Sequence, residues 1–209
     1  MRRTAATVKT GYEFGRASRL GKEIRMIVSP INPCRDDRRV MFRLTGALNL
    51  MIHRLDENPS AQTVRSALGY LSHFQFNKEG AYSCMERIEI EPKLVGNRIT
   101  GFRFPSFSPK QYFSSVPAGT TKIFFRVRVL AVSARRSAAR LLGKADWEIA
   151  YSDENFHPED MDFNALAEPG ELMLTVAAVE YETSRKGLIN IDQRMNFRPC
   201  GIIRTEAVL

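Results

Sequence analysis

The stretch "TKIFFRVRVLAVSA", residues 121–134, repeats with a period of two. Ile123, Phe125, Val127 and Val129 fall on one face, and Lys122, Phe124, Arg126 and Arg128 on the other. That alternation is what a β-strand with one face against a core requires. Working outward, "ELMLTVAAVEYE" at 171–182 is apolar on both faces, so it reads as a central strand, and "ADWEIAYS" at 145–152 reads as another. The alternation of "ERIEIEP" sets Ile88 and Ile90 against Arg87, Glu89 and Glu91. "GN" at 96–97 separates it from "RITGFRF", which is a hairpin signal. "MNFRPCGIIRTEAV" at 195–208 supplies a last strand that Pro199 confines to an edge or a bulge. Between these runs, residues 104–120 are rich in proline and serine and read as a long loop with aromatic anchors.

Upstream the period changes to that of a helix. Leu20, Ile24 and Ile27 share a face over residues 18–28, with Ser18 as an N-cap and Ser29-Pro30 as the stop. Val40, Leu44, Leu48, Met51 and Leu55 form a longer stripe, and Val64, Leu68 and Leu71 continue the rhythm after Pro59-Ser60. The helices come first as a block, and the strands are joined by turns. The expected fold is therefore α+β, an N-terminal basic helical region over 1–75 followed by an antiparallel β-sandwich over 76–209.

Of the 209 residues, 44% are hydrophobic and 26% charged, which is ordinary for a globular chain able to build a sizeable core. No apolar run of about 18 residues marks a transmembrane segment, and the N-terminus lacks the apolar region of a signal peptide. The expected location is cytoplasmic. Cys34, Cys84 and Cys200 are odd in number and have no paired spacing, and His53, His73 and His157 stand far apart, so no disulfide framework and no metal site is indicated. No phosphate-binding glycine loop, nucleophile elbow, zinc-protease pattern or RNA-binding aromatic motif occurs, and no cofactor or catalytic residue is assigned. The sequence indicates no enzyme.

The net charge of +8 hides an asymmetry: residues 1–140 carry 25 cations against 10 acids, and residues 141–209 carry 6 against 13. Such polarity suits a polyanionic partner, head-to-tail self-association, or pairing within the chain. The candidate anion or nucleic-acid contacts are Arg19, Arg25, Arg39, Arg43, Arg126, Arg128, Arg135, Arg136 and Arg140. The bland reading sets a wet helix face against them, with Asp36 and Asp37 as local partners of the helical arginines. Arg126 and Arg128 have an equally simple account in cross-strand pairing with Glu89 and Glu91. The run "ARRSAAR" at 134–140 has no acid near it in sequence and would be the freest cluster on a loop. The acidic segment 146–171 lacks the order of a calcium loop, so a solvated acidic loop is the reading there, and His157 among acids lacks a nucleophile.

The wording "YEFGRASRLGKEIR", then "DDRRVMFRLTGALNLMIHRL" and "LGYLSHFQFN", resembles a group of small proteins common in Bacteroidetes. The resemblance covers about the first 76 residues and implies a helical lead-in before a sandwich-like domain. It brings no activity, cofactor or catalytic residue with it. The expectation is a non-enzymatic structural or protein-interaction module that self-associates or meets a protein partner. Sequence-nonspecific nucleic-acid binding by the basic first two-thirds is the alternative.

Overall fold

The computed structural model describes residues 5–32, 38–57, 60–80, 85, 89–96, 98–113, 115–185 and 187–208. Helices α1 (Ala5–Val28), α2 (Arg38–Glu57) and α3 (Ala61–Leu68) precede the strands. Helix α1 starts well before residue 18, so Ser18 is interior to the helix and not its N-cap. Tertiary packing explains the extension, because Glu13 and Ala17 carry the buried face of Leu20, Ile24 and Val28 back toward the N-terminus. Gly21 faces α2: a Cβ built there would stand 3.4 Å from Leu48 Cδ1. Helix α3 starts where Pro59-Ser60 suggested, and the Ser60 side chain caps it by accepting from Thr63 N–H at 3.2 Å.

The strands form two antiparallel sheets. Strands β1 (Glu91–Val95), β2 (Arg98–Arg103) and β5 (Met161–Asp162) make the smaller one, in the order β1-β2-β5. The larger runs β4-β3-β6-β7, from β3 (Thr120–Ser133), β4 (Ala138–Ala150), β6 (Leu172–Arg185) and β7 (Leu188–Ile191), with β8 (Cys200–Ala207) also paired to β6. The β1–β2 hairpin turns at Gly96, whose φ of +59° glycine adopts without strain. Strand β1 begins at Glu91, later than the alternation of "ERIEIEP" suggested, and residues 86–88 lie outside those described. Strand β4 begins at Ala138 and not near residue 145, because it pairs with the whole second half of β3, Ser133 opposite Ala138. The run 134–140 is thus a hairpin turn and the start of a strand. The loop over 104–120 holds one short helix, α4 (Pro109–Tyr112), and its anchors Phe104 and Phe113 are buried.

The central strand β6 separates two cores. On one side Leu130, Val132, Leu172, Leu174, Val176 and Ile202 meet the stripes of α1, α2 and α3. On the other, Ile123, Phe125, Val127, Val129, Val179 and Tyr181 meet Phe102, Phe113 and Met161. The smaller sheet and its loops cover the second face, as a sandwich requires, and the helices cover part of the first. The expected boundary at 75/76 falls between α3, which ends at Leu68, and β1, which begins at Glu91, and the first core runs across it.

That continuity has a measurable consequence. Leu48→Ala in α2 and Leu174→Ala in β6 should each lower stability by about 2–5 kcal/mol. Urea denaturation should show one transition shifted in both variants. A silent Leu48→Ala would mean that the helices do not belong to the core.

Candidate functional site: a basic helical face and a charge-paired sheet

The helices cover only the part of their sheet face near the β3–β4 turn. Toward the other end of the strands the same face of β3 carries Lys122, Phe124, Arg126 and Arg128, and there the cations meet acids from neighbouring strands. Arg128, only 8% exposed, donates to both Asp146 carboxylate oxygens at 2.7 and 3.0 Å. Lys122 reaches Glu148 at 3.0 Å, and Glu180 on β6 accepts from both Arg126 and Arg198. The partners are thus Asp146 and Glu180, not the Glu89 and Glu91 expected, because β4 and β6 flank β3 while β1 belongs to the smaller sheet. Burial alone would push the Glu180 carboxyl up. The two guanidiniums outweigh that and hold it below the usual carboxylate range.

The hairpin arginines are committed in the same way. Arg136 donates to Glu168 and Glu171, each at 2.8 Å, and Arg140 donates to Glu171 and to Leu166 O, each at 2.7 Å. Acids about 30 residues downstream in sequence therefore answer the run that looked free of them. Burial raises the Glu171 carboxyl, but the Glu168 N–H and the two guanidiniums bring it below its ordinary value. Arg135 is exposed beside them. Further pairs are Lys93 with Asp160 and Asp162, Lys110 with Asp153, Arg194 with Asp192 and Arg204 with Glu206.

The helical candidates are placed differently. Arg19 and Arg39 are exposed on α1 and α2, and Arg25 is half-buried. Arg43 donates to Gln75 O at 2.7 Å and lies 5.4 Å from the Phe74 ring centroid. Asp36 and Asp37, the expected partners, lie outside the described residues. Arg16, a helical cation outside the nine candidates, binds Asp56 and donates to Ala134 O at 2.9 Å, tying α1 to the β3–β4 turn. The nine candidate arginines therefore divide between the helical layer, the charge-paired sheet face and the hairpin turn.

Sequence reasoning missed the apolar surface among these cations. Tyr12 (69% exposed), Phe14 and Met26 stand out of α1, and Met41, Phe42 (67%) and Leu50 (52%) stand out of α2. Phe42, Gly46 and Leu50 are spaced by four, opposite the buried stripe, and Gly46 opens onto empty space. The spacing was visible in the sequence, but the stronger Val40–Leu44–Leu48 stripe hid it. Tyr12 and Phe14 lie upstream of Ser18, where the apolar period alone marks no helix.

One close pair of polar side chains stands apart from these charge networks. Ser106 Oγ lies 2.6 Å from His157 Nδ1, but both residues are exposed and no carboxylate orients the ring among the described residues. No group of three His, Cys, Asp or Glu side chains is placed to hold a metal ion, and no helix is long and apolar enough to cross a membrane, again among the described residues. Compared with protein-family models, curated proteins and solved structures, the chain matches none.

The carboxylates fix a pH dependence. Glu171, Glu180 and Asp192 are all held below their ordinary values, so they stabilise the fold above the unfolded carboxyl range near pH 4. That stability is lost as pH falls through the depressed folded values. Glu180→Gln should cost about 1–3 kcal/mol at pH 7. The difference from wild type should shrink at pH 3, as read from urea midpoints at the two values. An equal cost at both would show that charge plays no part.

Proposed function

We propose that the protein is a non-enzymatic interaction module whose docking face is the outer side of the α1–α2 pair. The observation that carries this reading is the set of four large apolar side chains that point away from the buried stripes of the two helices, Tyr12 and Met26 on α1 and Phe42 and Leu50 on α2. Apolar residues scattered singly on a surface need no explanation, but clustering on two adjacent helices suits a partner. Gly11, Gly15 and Gly46 support it, since each costs a helix interior roughly 1 kcal/mol and a Cβ on any of them would meet nothing within 4 Å. Open glycines beside aromatic side chains leave room for another backbone to come close.

Charge narrows the partner. Arg19, Lys22, Arg39 and Arg54 are exposed on this layer against one half-buried acid, Glu23, while Glu13 and Asp56 sit against His53 and Arg16. Two copies meeting face to face would oppose like charges, so the surface fits a protein that presents an apolar ridge rimmed by carboxylates better than a second copy of itself. Nucleic acid is the second reading, favoured by Arg19, Lys22 and Arg135, for which no ion pair forms among the described residues. Arg126, Arg128, Arg136 and Arg140 weigh against it, because a phosphate would have to displace a bound carboxylate.

Phe42→Asp combined with Leu50→Asp should leave stability within about 0.5 kcal/mol of wild type, since both positions are exposed. A photo-crosslinker placed at Met26 in cells should trap a discrete protein with the wild-type surface and lose it with the double variant. Crosslinks to nucleic acid that weaken steeply with salt would favour the second reading. A strict monomer that crosslinks to nothing would refute both.

A further inference from the structure

The outer edge of β8 is only half covered. Over its first residues the chain supplies its own neighbour: Gln75 lies opposite Gly201 in an antiparallel bridge. Ile202 N–H donates to Phe74 O at 2.8 Å, and Phe76 N–H to Cys200 O at 2.7 Å. That extended segment ends at His73, whose φ of +58° turns the chain away toward α3. Past Ile202 no described strand lies on this side of β8, whose other edge pairs with β6 as far as Ala207.

An open groove of about 430 Å³ occupies the gap between α3 and β8. Arg65, Leu68 and Gly69 form one wall and Thr205, Glu206 and Ala207 the other. Ser72 closes one end, its Oγ 3.2 Å from Thr205 Oγ1. In an antiparallel ladder, successive residues turn their N–H and C=O groups to alternate sides. Val208 N–H donates to Glu171 O at 3.0 Å and Val208 O accepts from Gly170 N–H at 2.8 Å, so Val208 and, by alternation, Glu206 face inward. Thr205 and Ala207 therefore turn their backbone groups into the groove. Its free cation is Arg65, which is exposed and makes no ion pair among the described residues, while Arg204 holds one oxygen of the Glu206 carboxylate.

We propose that this groove takes an extended peptide of a partner protein as an added strand, antiparallel to β8, with a carboxylate of the peptide set against Arg65. Unpaired backbone groups on a strand edge are satisfied in full only by another extended backbone. The chain's own segment at 74–76 shows that this edge accepts a strand in that direction. The volume falls in the range of ligand sites, about 300–1,000 Å³, and admits a few residues. No residue of the outer α1–α2 face takes part, so the proposal stands or falls separately from the docking face described above.

The test uses the full chain and a synthetic peptide, acetyl-Thr-Val-Thr-Val-Glu, at millimolar concentration. Its amides should slow hydrogen exchange of the Thr205 and Ala207 N–H groups and shift their NMR signals. A version N-methylated at alternate residues, which cannot complete the ladder, should do neither. Arg65→Glu should weaken the peptide several-fold and reverse its preference over an analogue ending in Lys. No protection at 205–207, or the same shifts from the methylated peptide, would overturn the proposal. Protection that grows with protein concentration alone would also overturn it, by assigning the edge to a second copy.

Discussion

The pairing of β3 with β6 is the constraint on which everything else depends. Twelve residue pairs join these strands, from Thr120–Thr183 to Val132–Leu172. Strand β6 is buried on both faces over most of its length, with Leu174 and Val176 on one side and Met173 and Ala177 on the other. A strand apolar on both faces cannot leave either to water, so the chain needs two covers. The amphipathic helices provide one and the small sheet with its aromatic loop the other. The layer order follows from the composition of one strand.

The second organising fact is how folding resolves the charge asymmetry. The cation-rich middle of the sequence becomes β3 and the β3–β4 turn, and the acid-rich last third becomes β4, the loop before β6, and β6 itself. Adjacent strands then place Arg126 beside Glu180, Arg128 beside Asp146, and Arg136 and Arg140 beside Glu171. What looked like a polarised chain becomes a neutralised sheet. On the helices Arg19 and Lys22 stay exposed without an ion pair among the described residues, on the layer where exposed aromatic side chains also lie.

Period-two and period-3.6 patterns were legible because burial on one face imposes them directly. With the turn residues between them, they made legible the α+β class, the central place of β6, the Gly96 hairpin and the start of α3 after Ser60. The extension of α1 back to Ala5 could not, because Gly11 and Gly15 oppose helix locally and packing of Ala17 and Leu20 overrides them. The partners of the arginines were not legible either. They depend on which strands become neighbours, and the β3–β4 and β3–β6 ladders bring together residues 18 to 54 positions apart. The exposed strip Phe42–Gly46–Leu50 had a signal at the right spacing, but a sequence does not say which of two stripes faces inward.

The first core also carries a consequence for synthesis. The stripes of α1, α2 and α3 are complete once residue 76 has been made, yet Leu172, Leu174, Val176 and Ile202, which cover them, belong to the last part of the chain. About 100 residues separate Leu71 from Leu172, so at about 5–20 residues per second the helices wait on the order of 5–20 seconds after emerging. During that interval their apolar faces have only one another, and the chain is open to capture by chaperones or to association between nascent copies. Contacts of such long sequence separation also slow folding. The arrangement that gives the finished molecule one continuous core thus makes its first third the segment most in need of protection on the ribosome.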